Sequence, residues 1–430
     1  MGLLLLLGLF GLCVTIGVPV AFALAVAAIA TFAYEGLPLL IGFKRIVSGV
    51  SIFSLLAIPF FIFAGELMLR GGIATRLINL AAAAVGWMRG GLGVVNVASS
   101  MLFGGISGSA VADVSALGSL LIPVMKKKGF SADYAVNVTV TSSIAGIMIP
   151  PSHNMILYVV AAGGGISVTK MFLAGVVPGI LMCICLGIAA YWVAVRKNYP
   201  REDFPGFMAL IAAAVAAIPG LFTAVIIVGG TLSGIFTVTE SGAIGVIYAI
   251  VITALAYRSL SLSDFWEAVR QSVRTTAMVM ILVGSATAFA YLLALYQVPA
   301  QLTALLLAIS DNPIIILILL NLMLLALGMI MDMAALILIC TPIFLPVVVG
   351  FGMDPVQFGV ILMMNLGLGL CTPPVGACLF VGCAIGNVSI DKTVRTIWPF
   401  YLAILVTLAF ITFVPAVSLT LPALLETPAG

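Results

Sequence analysis

Apolar residues in this chain come in unbroken runs, not in the alternation of a strand or the one-sided stripe of a surface helix. Runs at 3–33, 52–69, 133–165, 170–195, 207–229, 232–257, 275–297, 356–388 and 397–420 hold few charges. Each reaches the roughly 17 to 25 residues that a crossing helix needs. Lipid offers no partner for an open backbone, and no dyad barrel pattern is present, so these runs predict transmembrane α-helices. The first run lacks a basic leader and a small-residue cleavage site and reads as a retained first helix, not a signal peptide.

Two further apolar stretches, Gly93 to Met125 and Ile314 to Gly350, are too long for one comfortable span, and each is interrupted in the middle. The interruptions are GISGS at 105–109 and GMIMD at 328–332. Each half is too short to cross alone, so the pattern predicts re-entrant hairpins whose tips lie near the midplane. Basic residues in short loops concentrate on the cytoplasmic side. If the first hairpin enters there, beside Arg89 and Lys126 to Lys128, then 14 of the 17 Lys and Arg residues fall inside. Lys44, Arg45 and Lys170 fall on the other side and are assigned to interfacial arms. The second hairpin is flanked by Asp311 and Asp354 with no basic residue nearby, which predicts entry from the opposite face.

An internal repeat points the same way. A shift of 223 places Gly105 on Gly328, Pro123 on Pro346, Gly129 on Gly352, Gly146 on Gly369, Pro150 on Pro373, Pro151 on Pro374 and Gly163 on Gly386. Seven of the nine Gly or Pro positions from 105 to 163 thus meet an identical residue, where chance supplies about one. The predicted fold is an all-α polytopic membrane protein: an inverted-topology repeat with two re-entrant helical hairpins and two broken transmembrane helices.

Composition narrows the function. Of 430 residues, 63% are hydrophobic and 7% charged, which excludes a water-soluble domain. A net charge of +3, scattered along the chain, gives no nucleic-acid or polybasic surface. Seven cysteines lie mostly within apolar runs and read as small packed side chains. No phosphate-loop string occurs, which disfavours an ATP-driven pump.

After each hairpin a span is interrupted by a proline pair, in SSIAGIMIPPSHN at 142–154 and LGLGLCTPPVGA at 366–377. Proline lacks an N–H and blocks the carbonyl four residues back, so two in succession free several backbone oxygens in mid-membrane. Oxygen-only ligation without a carboxylate cage suits a monovalent ion such as Na⁺ better than Ca²⁺. The hydroxyls of Ser107, Ser109 and Ser152 on one side, and Asp332 and Thr372 on the other, are the side-chain candidates. Asp332 sits where the repeat predicts an ion site. Asp113 is a second buried candidate that a local cap or pair also explains; Glu66 and Glu240, near span ends, fit snorkelling or capping roles as well as substrate ones. His153, the one histidine, reads equally as relay, substrate donor or structural group. Helix N-termini leaving the tips and breaks would aim positive ends at one central space and favour an anionic substrate. A rival reading is an intramembrane serine protease using Ser107 and His153, but Ile330 stands where the repeat would place a second Ser107.

The strings IPFFIFAGELM (58–68), GGISGSAVADVSALGSLLIPVMKKKGF (104–130), IPPSHNMILY (149–158), GGTLSGIFTVTESGAIGVIYA (229–249), GMIMDMAALILICTPIFLPV and TPPVG (372–376) together resemble the large membrane subunit, DctM-like or M, of TRAP transporters. The resemblance spans essentially the whole chain. Val238 stands where that family often has proline, and His153-Asn154 follow IPPS as in one branch of it.

The resemblance implies an elevator-type, Na⁺-driven importer of an organic acid in the bacterial inner membrane. It depends on a small four-helix membrane subunit (Q), expected as a separate polypeptide, and an extracytoplasmic substrate-binding protein (P). A binding-protein-independent Na⁺/dicarboxylate elevator transporter is the alternative. Carried over by position, one Na⁺ site joins Gly105, Ser107, Gly108 and Ser109 to Pro150, Pro151 and Ser152. A second joins Gly328 and Asp332 to Thr372, Pro373 and Gly376. Substrate, a C4-dicarboxylate, sialic acid or similar carboxylate, lies near Ser107, Asn154, Asp332 and Thr372. Residues 89–168 and 312–390 are then the two transport-domain halves. Residues 1–88, 169–311 and 391–430 are scaffold, the amphipathic DFWEAVRQSVR (264–274) included.

Overall fold

The computed structural model describes residues 1–310 and 312–425, and these are helical throughout apart from turns, loops and one isolated bridge between Arg89 and Arg201. Asp311, used above to orient the second hairpin, lies outside the described residues. Among them, six helices are long and apolar enough to cross a bilayer, or up to nine if each bent pair is one span.

The first apolar run is not one span. It forms α1 (Gly2–Thr15) and α2 (Val20–Tyr34), packed on each other. A side chain at Gly2 would run into Glu35 and Tyr296, so the start of α1 meets the end of α2 and the pair is a hairpin. The cause is local: Gly17 takes a left-handed φ of +91°, and Pro19 cannot donate to a continuing ladder. Uniform apolarity across Gly17 to Pro19 hid that turn. The amphipathic α3 (Leu39–Val50) then runs along α2, with Arg45 lying 4.3 Å over the Tyr291 ring. A 3₁₀ turn at Phe53–Leu56 leads into α4 (Ala57–Arg70), followed by α5 (Ile73–Val85).

Next comes the first module: α6 (Gly91–Ser107), α7 (Ala110–Lys127), then a span broken into α8 (Ala132–Ser142), α9 (Ala145–Met148) and α10 (His153–Ala161), bent by 54°. α7 folds back on α6, since Asn96 near the start of one reaches Met125 near the end of the other at 3.9 Å. α6 runs parallel to the broken span: Asn96 donates to Thr139 at 2.6 Å, Ser100 pairs with Ser142 at 2.9 Å, and Gly104 abuts Ala145.

Five helices follow: α11 (Val168–Arg196), α12 (Phe207–Leu232), α13 (Val238–Val251), α14 (Leu262–Leu295) and α15 (Val298–Ile309). The amphipathic stretch 264–274 and the expected span 275–297 are one element, α14, a single 34-residue helix begun by a Ser261/Asp264 capping box.

The second module repeats the first with α16 (Pro313–Gly328), α17 (Met333–Gly350), α18 (Pro355–Leu370) and α19 (Ala377–Gly386). α16 is parallel to α18, because Asn321 meets Asn365 and Gly328 meets Gly369. α17 turns into α18 within four residues and packs along it, so α16 and α17 form a hairpin. The chain ends with α20 (Ile390–Thr396), α21 (Trp398–Phe413) and α22 (Ala416–Leu425). The expected single span at 397–420 is therefore bent by 60°, where Pro415 ends the α21 ladder.

The two modules are inverted. Ile144 and Ile147 pack on Gly367 while Tyr158 packs on Gly359 and donates to the Pro355 carbonyl at 2.5 Å. Rising positions in the first broken span thus meet falling positions in the second. The first helix of each hairpin runs parallel to its own span, so the two hairpins point in opposite directions. The halves also exchange partners: α10 packs on α17, and α19 on α7. Lys126 at the base of the first hairpin donates to the Gly386 carbonyl at the end of α19 at 2.9 Å. Around that base gather three of the basic residues expected on one side: Lys197 pairs with Asp133 at 3.3 Å, Lys128 with Glu202, and Arg201 donates to the Trp87 carbonyl at 3.1 Å.

Candidate ion and substrate site

At the first tip, α6 ends on Gly108 with φ of +62°, and extended Ser109 accepts the Ala112 N–H at 3.5 Å to start α7. The tip presses on the first break so closely that side chains are excluded. A Cβ on Gly105 would lie 2.9 Å from the Pro150 carbonyl oxygen; one on Gly108 would lie 3.4 Å from that of Pro151 and 3.2 Å from His153 Nδ1. Pro150 and Pro151 are joined by a cis bond, and α10 begins only at His153, so both prolyl carbonyls stand outside its ladder. Ser152 is fully buried and its hydroxyl has no hydrogen-bond partner. Ser107 Oγ sits 3.5 Å from the Ser109 carbonyl. The seven residues expected at the first cation site are thus gathered in one oxygen-rich contact, and an orphaned buried hydroxyl fits a hard cation there.

At the second tip, Met329 to Asp332 form the turn, and the Val375 N–H of the second break donates to the Met329 carbonyl at 3.1 Å. Gly328 and Gly369 meet backbone to backbone. Thr372 Oγ1 donates back to the Leu368 carbonyl at 2.7 Å, and Gly376, at φ of +31°, leaves a Cβ only 2.8 Å from the Thr372 oxygen. Asp332 caps α17 by accepting the Ala334 N–H at 3.0 Å. The 223-residue shift pairs it with Ser109, so the same cap is a neutral hydroxyl in one module and a carboxylate in the other.

Between the tips lies a cavity of about 280 Å³. Its wall includes Ser109, His153, Asn154 and Asp332, and the first residues of α7, α10 and α17 open into it. Three of the four expected positive helix ends therefore converge on one space. Asn154 and Asp332 line it as expected of substrate residues; Ser107 and Thr372 do not appear in its lining. Asn154 is anchored by a 3.4 Å hydrogen bond from its Nδ2 to the Gly108 carbonyl.

Sequence reading missed the fourth wall, formed by Thr275, Met278 and Leu282 of α14. Their i, i+3, i+7 spacing puts them on one helix face, a signal that was present but unreadable while α14 was read as an amphipathic stretch and a separate span. Asp113 is 1% exposed, next to Ser100, with neither carboxylate oxygen satisfied by good hydrogen-bond geometry. Glu66 pairs with Arg70 at 3.4 Å, and Glu240 completes a capping box with Thr237. These last two carboxylates are thus engaged in local structure.

Inverted hairpin-plus-break modules around a central cavity, in an all-helical membrane protein, define a transporter permease and not an enzyme. Residues 7–417 match the family described as "Tripartite ATP-independent periplasmic transporter, DctM component", and the chain belongs to it. It is 36% identical over 416 residues to the 2,3-diketo-L-gulonate TRAP transporter large permease protein YiaN of Escherichia coli, covering 96% of this chain and 97% of that protein. It is also 36% identical over 416 residues to the sialic acid TRAP transporter large permease protein SiaM of Vibrio cholerae, covering 95% of each. In fold it is similar to the Alcanivorax borkumensis YdaH transporter, with a TM-score of 0.64 and 13% identity over 89% of this chain and 87% of that one.

Proposed function

We propose that this permease imports an organic acid anion, coupled to two or more Na⁺ ions, by an elevator movement of the two modules across the bacterial inner membrane. The observation that carries this is the pairing of each hairpin tip with its own proline break: two oxygen-rich contacts flank one cavity. Na⁺ would bind at Gly105, Ser107, Gly108, Ser109, Pro150, Pro151 and Ser152, and at Gly328, Asp332, Thr372, Pro373 and Gly376. Bound cations would draw tip and break together, and the anion would rest between them against the ends of α7 and α10. The diketogulonate and sialic acid named for two relatives are both acids, which supports a carboxylated substrate.

In this reading the moving unit is residues 89–168 and 312–390, and of the remaining helices, expected as scaffold, α11 and α21 are bonded to it. Tyr134 of α8 donates to the Ala190 carbonyl of α11 at 2.9 Å, and Tyr401 of α21 to the Cys371 carbonyl at 2.6 Å, so both helices are bonded to the modules. A small four-helix membrane subunit and an extracytoplasmic binding protein complete the transporter. The test is Na⁺ titration of uptake by the reconstituted three-component system. Ser107→Ala or Asp332→Ala should raise the Na⁺ concentration for half-maximal rate, and unchanged Na⁺ dependence in both removes the site assignment.

A further inference from the structure

We infer that Asp113 is the counter-charge of the first cation site, a positioning residue one helical turn behind the first tip that sets how tightly Na⁺ is held there without being one of its ligands. This rests on reading the first tip and break as a Na⁺ site.

Each hairpin contains a single acidic residue, Asp113 in the first and Asp332 in the second. Asp332 caps α17, so its carboxylate belongs to the second site itself. The equivalent cap in the first module is the neutral Ser109, and the 223-residue shift carries Asp113 onto Leu336. The two carboxylates are thus offset by four residues, one turn along the same helix face. The seven residues gathered at the first site bring only neutral oxygens. A cation seated among them, unlike one at Asp332, has no neutralising charge in contact with it.

Asp113 supplies one. It is 1% exposed, neither carboxylate oxygen has a hydrogen-bond partner, and the polar groups beside it, Ser100 and Cys378, carry no positive charge. The basic residues of α7, Lys126 and Lys127, lie at its other end, about 20 Å along the axis. A carboxylate so placed is costly unless an opposite charge stands nearby. The four residues from Ser109 to Asp113 are a rise of about 6 Å, and a helical side chain leans toward the N-terminus of its helix, which here is the tip. The Asp113 N–H donates to the Ser109 carbonyl at 3.0 Å, so carboxylate and site are held in one rigid turn. At such a separation, with an effective dielectric constant of about 20, two opposite unit charges favour binding by on the order of tenfold to a hundredfold. The buried carboxylate without a partner and the cation without a counter-charge therefore answer each other.

The experiment measures equilibrium binding of ²²Na⁺ to the purified large and small membrane subunits together in lipid nanodiscs, with choline holding the ionic strength constant, and thermal melting of the same samples in choline alone. We expect Asp113→Asn to bind one Na⁺ fewer than the parent at the concentration that just fills the parent, the lost ion returning only at a concentration tenfold or more higher. Its melt in choline should be no lower than the parent's, because an unpaired buried charge has been removed. Adding Ser109→Asp to Asp113→Asn puts the carboxylate where the second module has it and keeps a favourable N-cap. It should bring Na⁺ binding back to within about threefold of the parent. Unchanged Na⁺ binding in Asp113→Asn, or failure of Ser109→Asp to restore it, overturns the inference; so does a lowered melt in choline, which marks Asp113 as structural. Absence of Na⁺ binding to the parent instead overturns the proposed function, and this inference with it.

Discussion

Replacing Gly369 by alanine tests whether the contact between the second hairpin tip and its broken span governs cation binding. A Cβ at this position would sit 2.4, 2.6 and 2.7 Å from the carbonyl carbon, Cα and oxygen of Gly328. Those are backbone atoms, which cannot swing aside as a side chain can. Ordinary carbon contact is about 3.5–4 Å, so α16 must retreat from α18 by about 1 Å. Overpacking of this kind costs about 1–3 kcal/mol. The displacement also falls on the 3.1 Å hydrogen bond from Val375 N–H to the Met329 carbonyl, which would stretch beyond bonding range. We therefore expect a lowered melting temperature and a Na⁺ half-saturation raised tenfold or more, read by Na⁺ titration of uptake and by melting of the purified protein.

The first module has a comparable close contact at Gly104, where an alanine Cβ would meet the Ala145 oxygen at 2.7 Å and carbon at 2.8 Å, and Gly104→Ala should behave alike. Gly8→Ala and Gly187→Ala serve as controls, since neither Cβ meets an atom within 4 Å. Alanine in those helices should be neutral or stabilising by up to about 1 kcal/mol. If Gly369→Ala behaves like the controls in both melting and Na⁺ titration, the claim that this close approach builds the cation site is wrong.

Tyr401→Phe keeps a buried ring but frees the Cys371 carbonyl at the start of the second break, and should lower stability by about 0.5–1.5 kcal/mol; an unshifted melt would deny that bond a role. Asn96→Ala removes the amide that donates to Thr139 and accepts from Ser142 at 3.3 Å, leaving buried partners unsatisfied. It should cost about 1–3 kcal/mol, and a silent substitution would show that hairpin and span are not joined there. Truncating the exposed Lys128 of the Lys128–Glu202 pair should cost less than about 1 kcal/mol, fading with salt, and a larger loss in a urea melt would mark it as more than a surface contact. This permease reconstituted alone should show no measurable uptake, and robust uptake without its two partners would contradict the three-part reading.

How legible the molecule was depended on what each residue had to resist. Gly108, Gly376 and the two proline pairs are visible in the sequence because their backbone demands are local and hold in any surroundings. The turn at Gly17 to Pro19 carries the same marks but went unread, because apolarity on both sides of it matched one long span. Asn154 and Asp332 were found from their positions beside a break and a tip. Thr275, Met278 and Leu282 were not, since nothing near them in the chain announces a cavity.

By itself the sequence determined a helical membrane protein, a duplicated and inverted module, and the points where helices must break. Apolar runs, glycine and proline act over a few residues, and a repeat shows itself by counting. Only the tertiary structure decided which breaks meet which tips and that α14 closes the cavity. Those outcomes depend on packing between segments some forty or more residues apart, where a glycine such as Gly369 is required by the backbone of Gly328 and by nothing in its own neighbourhood.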